Sequence, residues 1–115
     1  MAVITKAKEL SVYTFRISMN TDNFPKKARH SIVDEINKTC LYIHNKLLET
    51  NSIRAENKAE RSEAITKAIY YCDVLLYYIE LSMNLQYISA KKADYWSGLA
   101  KDVKHMAVAW RKTYK

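Results

Sequence analysis

Glycine and proline are almost missing from this chain of 115 residues, which holds one of each, Gly98 and Pro25. A β-rich fold of this length needs many more turn residues, so their scarcity points to a few long helices. No stretch approaches the roughly 20 consecutive apolar residues that a membrane span requires. The opening Met1-Ala2-Val3-Ile4-Thr5-Lys6 has neither an apolar stretch nor a cleavage site, so no secretory signal is expected and a cytoplasmic location is. Cysteine is limited to Cys40 and Cys72, on apolar helix faces and without CxxC spacing; both read as buried, reduced thiols. Acidic residues are outnumbered, 12 against 19 basic, which leaves a net charge of +7. That balance favours phosphate-rich or acidic partners and, by itself, sets a direction only.

What is present describes an ordinary globular chain. Hydrophobic residues make up 49% and charged residues 27%, which excludes disorder. The length suits one domain over residues 1–115, burying roughly two-thirds of the surface the unfolded chain exposes.

Four helical patterns follow one another. Ile4, Ala7, Leu10, Tyr13 or Thr14, and Ile17 mark a first helix from about Val3 to Met19, ended by the turn-forming Asn20-Thr21-Asp22-Asn23. Phe24-Pro25 opens a second, with proline at the first helical position, and the stripe Ile32, Ile36, Thr39 or Cys40, Ile43, Leu47 carries it to about Glu49. A third spans roughly Ala59 to Tyr87, with Ile65, Ala68 or Ile69, Cys72, Leu75 or Leu76, Ile79 and Met83 inward. Ser89 caps the fourth, whose Trp96, Leu99, Val103, Met106 and Trp110 recur at steps of 3, 4, 3 and 4, a seam suited to shallow crossing angles. Short connections force neighbours antiparallel, so the expected fold is all-α, an up-down-up-down four-helix bundle.

The third helix is apolar on too many sides for one buried stripe. Beside the buried stripe it carries Tyr70, Tyr71, Val74, Tyr77, Tyr78, Leu81 and Leu85. Either the helix is central and covered by both neighbours, or this second stripe is a subunit interface of a homo-oligomer, where tyrosine and leucine are common. The interface is the reading preferred here.

Catalytic machinery has no recognisable signature. His30, His44 and His105 lie on separate helices without metal-ligand spacing. Asp34 and Glu35 are adjacent on a helix and point in different directions, so they form no acid–base pair. A single glycine cannot build a phosphate-cradling loop. No catalytic residue, metal or cofactor is expected, and the chain reads as a binding protein.

Its basic residues are better placed. Lys26, Lys27, Arg29 and His30 open the second helix and Lys91 and Lys92 the fourth. In an antiparallel bundle these starts share one end with Arg16, and their summed charge attracts phosphate. Lysines at helix starts oppose the macrodipole, a mild cost that favours a functional reason for them. A second group, Lys101, Lys104, His105 and Lys112, lines one side of the fourth helix. The plain alternative for both groups is a solvated face that keeps the protein soluble.

Two stretches carry a family resemblance. Ala7-Lys8-Glu9-Leu10 followed by Phe24-Pro25-Lys26-Lys27-Ala28-Arg29 resembles the opening of the four helix bundle superfamily. That superfamily holds the 23S rRNA intervening-sequence proteins and the accessory variability determinant (Avd) proteins of diversity-generating retroelements. Ile88-Ser89-Ala90-Lys91-Lys92-Ala93-Asp94-Tyr95-Trp96, with the ending Asp102-Val103-Lys104-His105-Met106-Ala107-Val108-Ala109-Trp110-Arg111-Lys112, is closer to the Avd-like branch. The resemblance covers nearly the whole chain. It implies a ring-like homopentamer that binds a reverse transcriptase and RNA or DNA and supports cDNA synthesis in mutagenic retrohoming. The chain departs from the family where Avd proteins can carry arginines on the third helix and this one has tyrosine and leucine. The alternative is an intervening-sequence-type bundle, an RNA-associated scaffold without a polymerase partner. No base-reading motif is visible, so phosphate-driven, sequence-tolerant binding is expected.

Overall fold

Each of the four apolar stripes is buried on a helix of its own. The computed structural model describes residues 1–114, and among them four helices pack as an all-α bundle without strands. They are α1 (Ala2–Met19), α2 (Asp34–Ser52), α3 (Lys58–Asn84) and α4 (Ala90–Lys112). The bundle measures 47 × 24 × 19 Å. α3 packs most extensively, against α2 and α4, and α1 closes the ring between α2 and α4. The buried side chains of all four helices form one cluster. Among the described residues no helix is long and apolar enough to cross a membrane.

In α1, Val3, Ala7, Leu10, Thr14 and Ile17 are buried, with Tyr13 and Ile4 half-buried beside them. Thr14 can sit at the centre because the Trp96 indole Nε1–H donates to its hydroxyl at 3.0 Å. Ser18 is buried on the same terms, donating to Asn37 Oδ1 at 3.0 Å. Both pairs tie α1 to a neighbouring helix, and a buried hydroxyl without such a partner is costly.

The segment before α2 departs from the helix expected to begin at Pro25. Pro25 is extended (ψ 154°), Lys26–Ala28 form a tight 3₁₀ turn, and Arg29–Val33 form a wide turn kinked at Ser31 (φ −124°, ψ −105°). The burial pattern gives the reason. Phe24, Ala28 and Val33 are the inward residues here, and the step from 28 to 33 is one residue longer than an α-helical repeat. An unbroken α-helix would place Ile32 inward, but Ile32 is half-buried and Val33 takes its place. The wide turn absorbs the extra residue, and from Ile36 onward the stripe through Cys40, Ile43 and Leu47 is regular. α2 then outlasts its expected end near Glu49. Thr50 is fully buried and donates to the Lys46 carbonyl at 2.8 Å, so the helix keeps one more turn.

α3 stops at Asn84, short of Tyr87. Gln86 takes the left-handed conformation (φ 63°), its N–H bonding Met83 O at 2.9 Å, while the Tyr87 N–H bonds Ser82 O at 3.0 Å. These are the two bonds of a Schellman terminus, with glutamine where glycine is usual. Ser89 then caps α4, its hydroxyl accepting the Lys92 N–H at 3.1 Å.

The seam of α4 keeps the expected rhythm with two substitutions. Ala93, Trp96, Ala100, Val103, Ala107 and Trp110 are buried, whereas Leu99 and Met106 are half-buried on the flank. Alanines let the helix approach its neighbours closely, and the two indoles fill the space that remains. At the far end of α4, Trp110 Nε1–H donates to the Tyr114 hydroxyl at 2.9 Å. Arg61 donates to the same oxygen at 2.6 Å and, through Nε, to the Ile53 carbonyl at 2.8 Å. This clasp joins the α2–α3 connection to the end of α4.

Trp96→Ala removes a fully buried indole and the donor to Thr14, and should cost about 3–5 kcal/mol; a fall in the urea midpoint reads it, and native-like unfolding would show that the indole is not central. In the opposite direction, Gln86→Gly relieves a left-handed glutamine, and Gly98→Ala adds a methyl to a helical site with no neighbouring atom within 4 Å. Each should stabilise by about 0.5–1 kcal/mol in the same unfolding measurement.

Candidate nucleic-acid interface

Phe24 anchors the α1–α2 connection. Its ring lies 5.5 Å from Tyr87 and 6.5 Å from Trp96, so the connection is pressed against the start of α4. There the Lys92 ammonium donates to Asn23 Oδ1 at 2.7 Å. Tyr13, Arg16, Asn20, Asn23 and Lys92 line a shallow groove across this junction. Arg16 and Lys92, 76 positions apart in sequence, thus share one surface. Lys91 is exposed beside Lys92, and Lys26 and Lys27 are exposed in the turn that follows Phe24. Arg29 and His30 are exposed too, but they face another hollow, between α1 and α2, with Phe15, Met19 and Leu41.

Charge divides the two basic groups. Six ion pairs are present among the described residues, and none includes Arg16, Lys26, Lys27, Arg29, His30, Lys91 or Lys92. The group along α4 is different. Lys104 is held by Asp73 of α3 at 2.6 Å. Lys101 lines a hollow that also contains Glu80 and Asp94, so its surroundings are of mixed sign. Lys112 and His105 are exposed. The first group keeps its charge available for a ligand, while the second spends part of it inside the bundle.

The second stripe of α3 is divided as well. Tyr70 and Tyr77 are 61% and 62% exposed. Val74, Tyr78 and Leu81 are half-buried, and Tyr78 packs against the core. Leu85 is exposed but lies beyond the last residue of α3. Further apolar side chains outside the buried stripes, Val12, Phe15 and Met19 of α1 and Leu41 and Leu48 of α2, are exposed. Steps of three, four and seven residues were the visible signal, masked by the stronger buried stripes on the same helices. Tyr95, also exposed, was missed because it adjoins the Trp96 seam.

The reactive side chains are sequestered. Cys40 and Cys72 are buried, unpaired thiols. Burial pushes both up; Asp73 adds to the effect at Cys72, which is pushed up to about 12, whereas Ser11 and Thr14 partly offset it at Cys40. Among the described residues no group of three or more His, Cys, Asp or Glu is placed to hold a metal ion. No protein-family model matches the chain, and no curated protein matches it.

The raised thiols predict a reactivity contrast. A thiolate is the nucleophile, so neutral buried thiols should resist a disulfide reagent at pH 8 in the native protein, and both should react once it is denatured. Rapid labelling of the native chain would show that one of them is accessible. Folding favours both neutral thiols, so the contribution of Cys72 is complete below its ordinary 9.0 and declines as pH rises towards about 12, and that of Cys40 declines in the same direction above 9.0.

Proposed function

We propose that the chain is a non-enzymatic, basic accessory protein of a diversity-generating retroelement. In this reading it binds a reverse transcriptase and nucleic acid, supports cDNA synthesis in mutagenic retrohoming, and works in the cytoplasm as a homo-oligomer, a pentameric ring by its resemblance. The observation that carries it is the group of cations at the α1–α2 connection and the start of α4, which lack carboxylate partners and are bridged by Lys92 and Asn23. Uncompensated cations drawn together from distant parts of a chain repel one another, and phosphate relieves that repulsion.

The reading takes the bundle as up-down-up-down. Pairs between neighbouring helices, and one from the α1–α2 connection to α4, support this: Ser18 with Asn37 and Ser11 with Cys40, Thr14 with Trp96 and Asn23 with Lys92, Asp73 with Lys104 and Thr66 with Arg111. In each set one number rises as the other falls. Self-association is supported by the exposed apolar side chains of α1, α2 and α3, Phe15, Leu41, Tyr70 and Tyr77 among them, residue types common at subunit interfaces. An intervening-sequence-type scaffold would use the same cations without a polymerase.

Salt separates phosphate contacts from other binding. Affinity for labelled nucleic acid should fall with a log–log slope of about −0.7 to −0.9 per phosphate neutralised. Exchanging Lys26, Lys27, Arg29, Lys91 and Lys92 for glutamine should weaken all sequences alike and flatten that slope. The same exchange at Lys101, Lys104 and Lys112 should do much less. The reverse ranking would place the interface on the side of α4, and undetectable binding by the native protein at low salt would end the nucleic-acid reading.

A further inference from the structure

The groove between α1 and α4 combines features that the basic residues alone do not explain. Its walls are Thr5, Lys8, Glu9, Val12, Tyr13 and Arg16 on one side and Tyr95 and Leu99 on the other, enclosing about 370 Å³. Tyr13 is half-buried and meets Tyr95 edge-on, with ring centroids 5.0 Å apart. Tyr95 is itself 60% exposed, an aromatic ring standing open on an apolar floor. Arg16 belongs both to this groove and to the one lined by Asn20, Asn23 and Lys92. The two therefore form one path along α1 to the α1–α2 connection. Its edge carries Lys8, Arg16 and Lys92, none of them in an ion pair, and Lys8 and Arg16 stand about 12 Å apart along the helix. The one carboxylate in the wall, Glu9, is neutralised by Lys6 at 3.2 Å.

We infer that this path is a binding groove for single-stranded nucleic acid, with an unpaired base stacked on Tyr95 and flanking phosphates held by Lys8, Arg16 and Lys92. The proposal rests on the nucleic-acid reading above and deepens it. A duplex hides its base faces in the stack and leaves nothing for an open ring to stack on, so the lysines of the connection would suffice for its phosphates. A single strand offers both, and alternating ring and cation is what its repeating base and phosphate require. Stacking needs a π-face and no particular base, so the groove tolerates sequence. The features it uses, a base face and the flanking phosphates, are common to DNA and RNA, so the two are equivalent ligands.

The test compares a fluorescein-labelled dT12, a U12 and a 12-base-pair DNA duplex by anisotropy at low salt. Native protein should bind dT12 and U12 within about threefold of each other and both more tightly than the duplex. Tyr95→Ala should weaken dT12 and U12 by about 5- to 150-fold, leaving duplex affinity and the salt slope unchanged, while Tyr95→Phe retains native affinity. The ring is exposed, and unchanged thermal melting of both variants confirms that they are folded. If native protein binds but Tyr95→Ala binds the single strands as well as native does, the stacking groove is wrong and the phosphate interface survives. A preference of more than tenfold between dT12 and U12 also overturns it, because the groove would then be reading the sugar. If native protein binds none of the three probes, the nucleic-acid reading falls and the groove with it.

Discussion

Everything at the basic end of the bundle depends on Trp96. Its ring is fully buried, its N–H is committed to Thr14 of α1, and Tyr13 and Phe24 pack against it in T-shaped pairs. One side chain of α4 thereby fixes α1 and the connection that leaves it. An indole suits this role because it combines a large apolar area with one donor that must be satisfied when buried. Thr14 supplies the acceptor at a position where an aliphatic residue would pack equally well but leave the indole N–H unpaired. Because Phe24 sits against Trp96 and Tyr87, the lysines that follow it cannot drift from those that open α4. The positions of the cations are set by apolar contacts between their neighbours.

How much of this the sequence discloses depends on the range of the interaction. Stripes at three- and four-residue spacing are local, so the four helices and most of their buried residues are legible, from Leu10 and Ile43 to Val103. The Ser89 cap is local too, and it stands where it was read. Pro25 is the instructive exception. Proline and a following stripe imply a helix, but nothing local says that Ala28 and Val33 both turn inward; that is a tertiary demand, met by widening the turn. At the other end of α3, glutamine holds a left-handed position that its own propensity disfavours, and Tyr87 is drawn out of the helix to cover Phe24. Leu99 and Met106 were displaced from the seam for a similar reason, since the choice between leucine and its alanine neighbour is made by the partner helix.

Charge is less legible than hydrophobicity. Lys101, Lys104 and Lys112 look as basic in sequence as Lys26, Lys27 and Lys92. What separates the groups is Asp73, 31 residues from Lys104 and visible as its partner only once α3 and α4 are packed. Arg111, which reaches Thr66 across 45 residues, and Arg61, held by the Ile53 carbonyl and Tyr114, are likewise positioned by distant partners, although these uncharged acceptors leave their charge in place. A count of basic residues therefore overstates the charge a ligand can use, and the useful quantity is the remainder after carboxylate partners are assigned.

That remainder is concentrated by the irregular backbone itself. A regular amphipathic helix turns three or four residues of every seven inward. Between Lys26 and Ser31 the tight and wide turns bury Ala28 alone, so Lys26, Lys27, Arg29 and His30 are all presented to solvent. The same geometry removes an electrostatic objection. Cations at a helix start oppose its dipole, but the regular ladder of α2 begins only at Asp34, and its first turn holds Asp34 and Glu35, the sign the dipole favours. The four basic residues precede the dipole instead of opposing it. Lys91 and Lys92 have no such relief, for they sit in the first turn of α4, which contains no acid. There the cost of opposing the dipole persists, and the Asn23 carbonyl oxygen, an uncharged acceptor, orients Lys92 without neutralising it. A partner that brings negative charge to the start of α4 would complement the helix terminus and its lysines together.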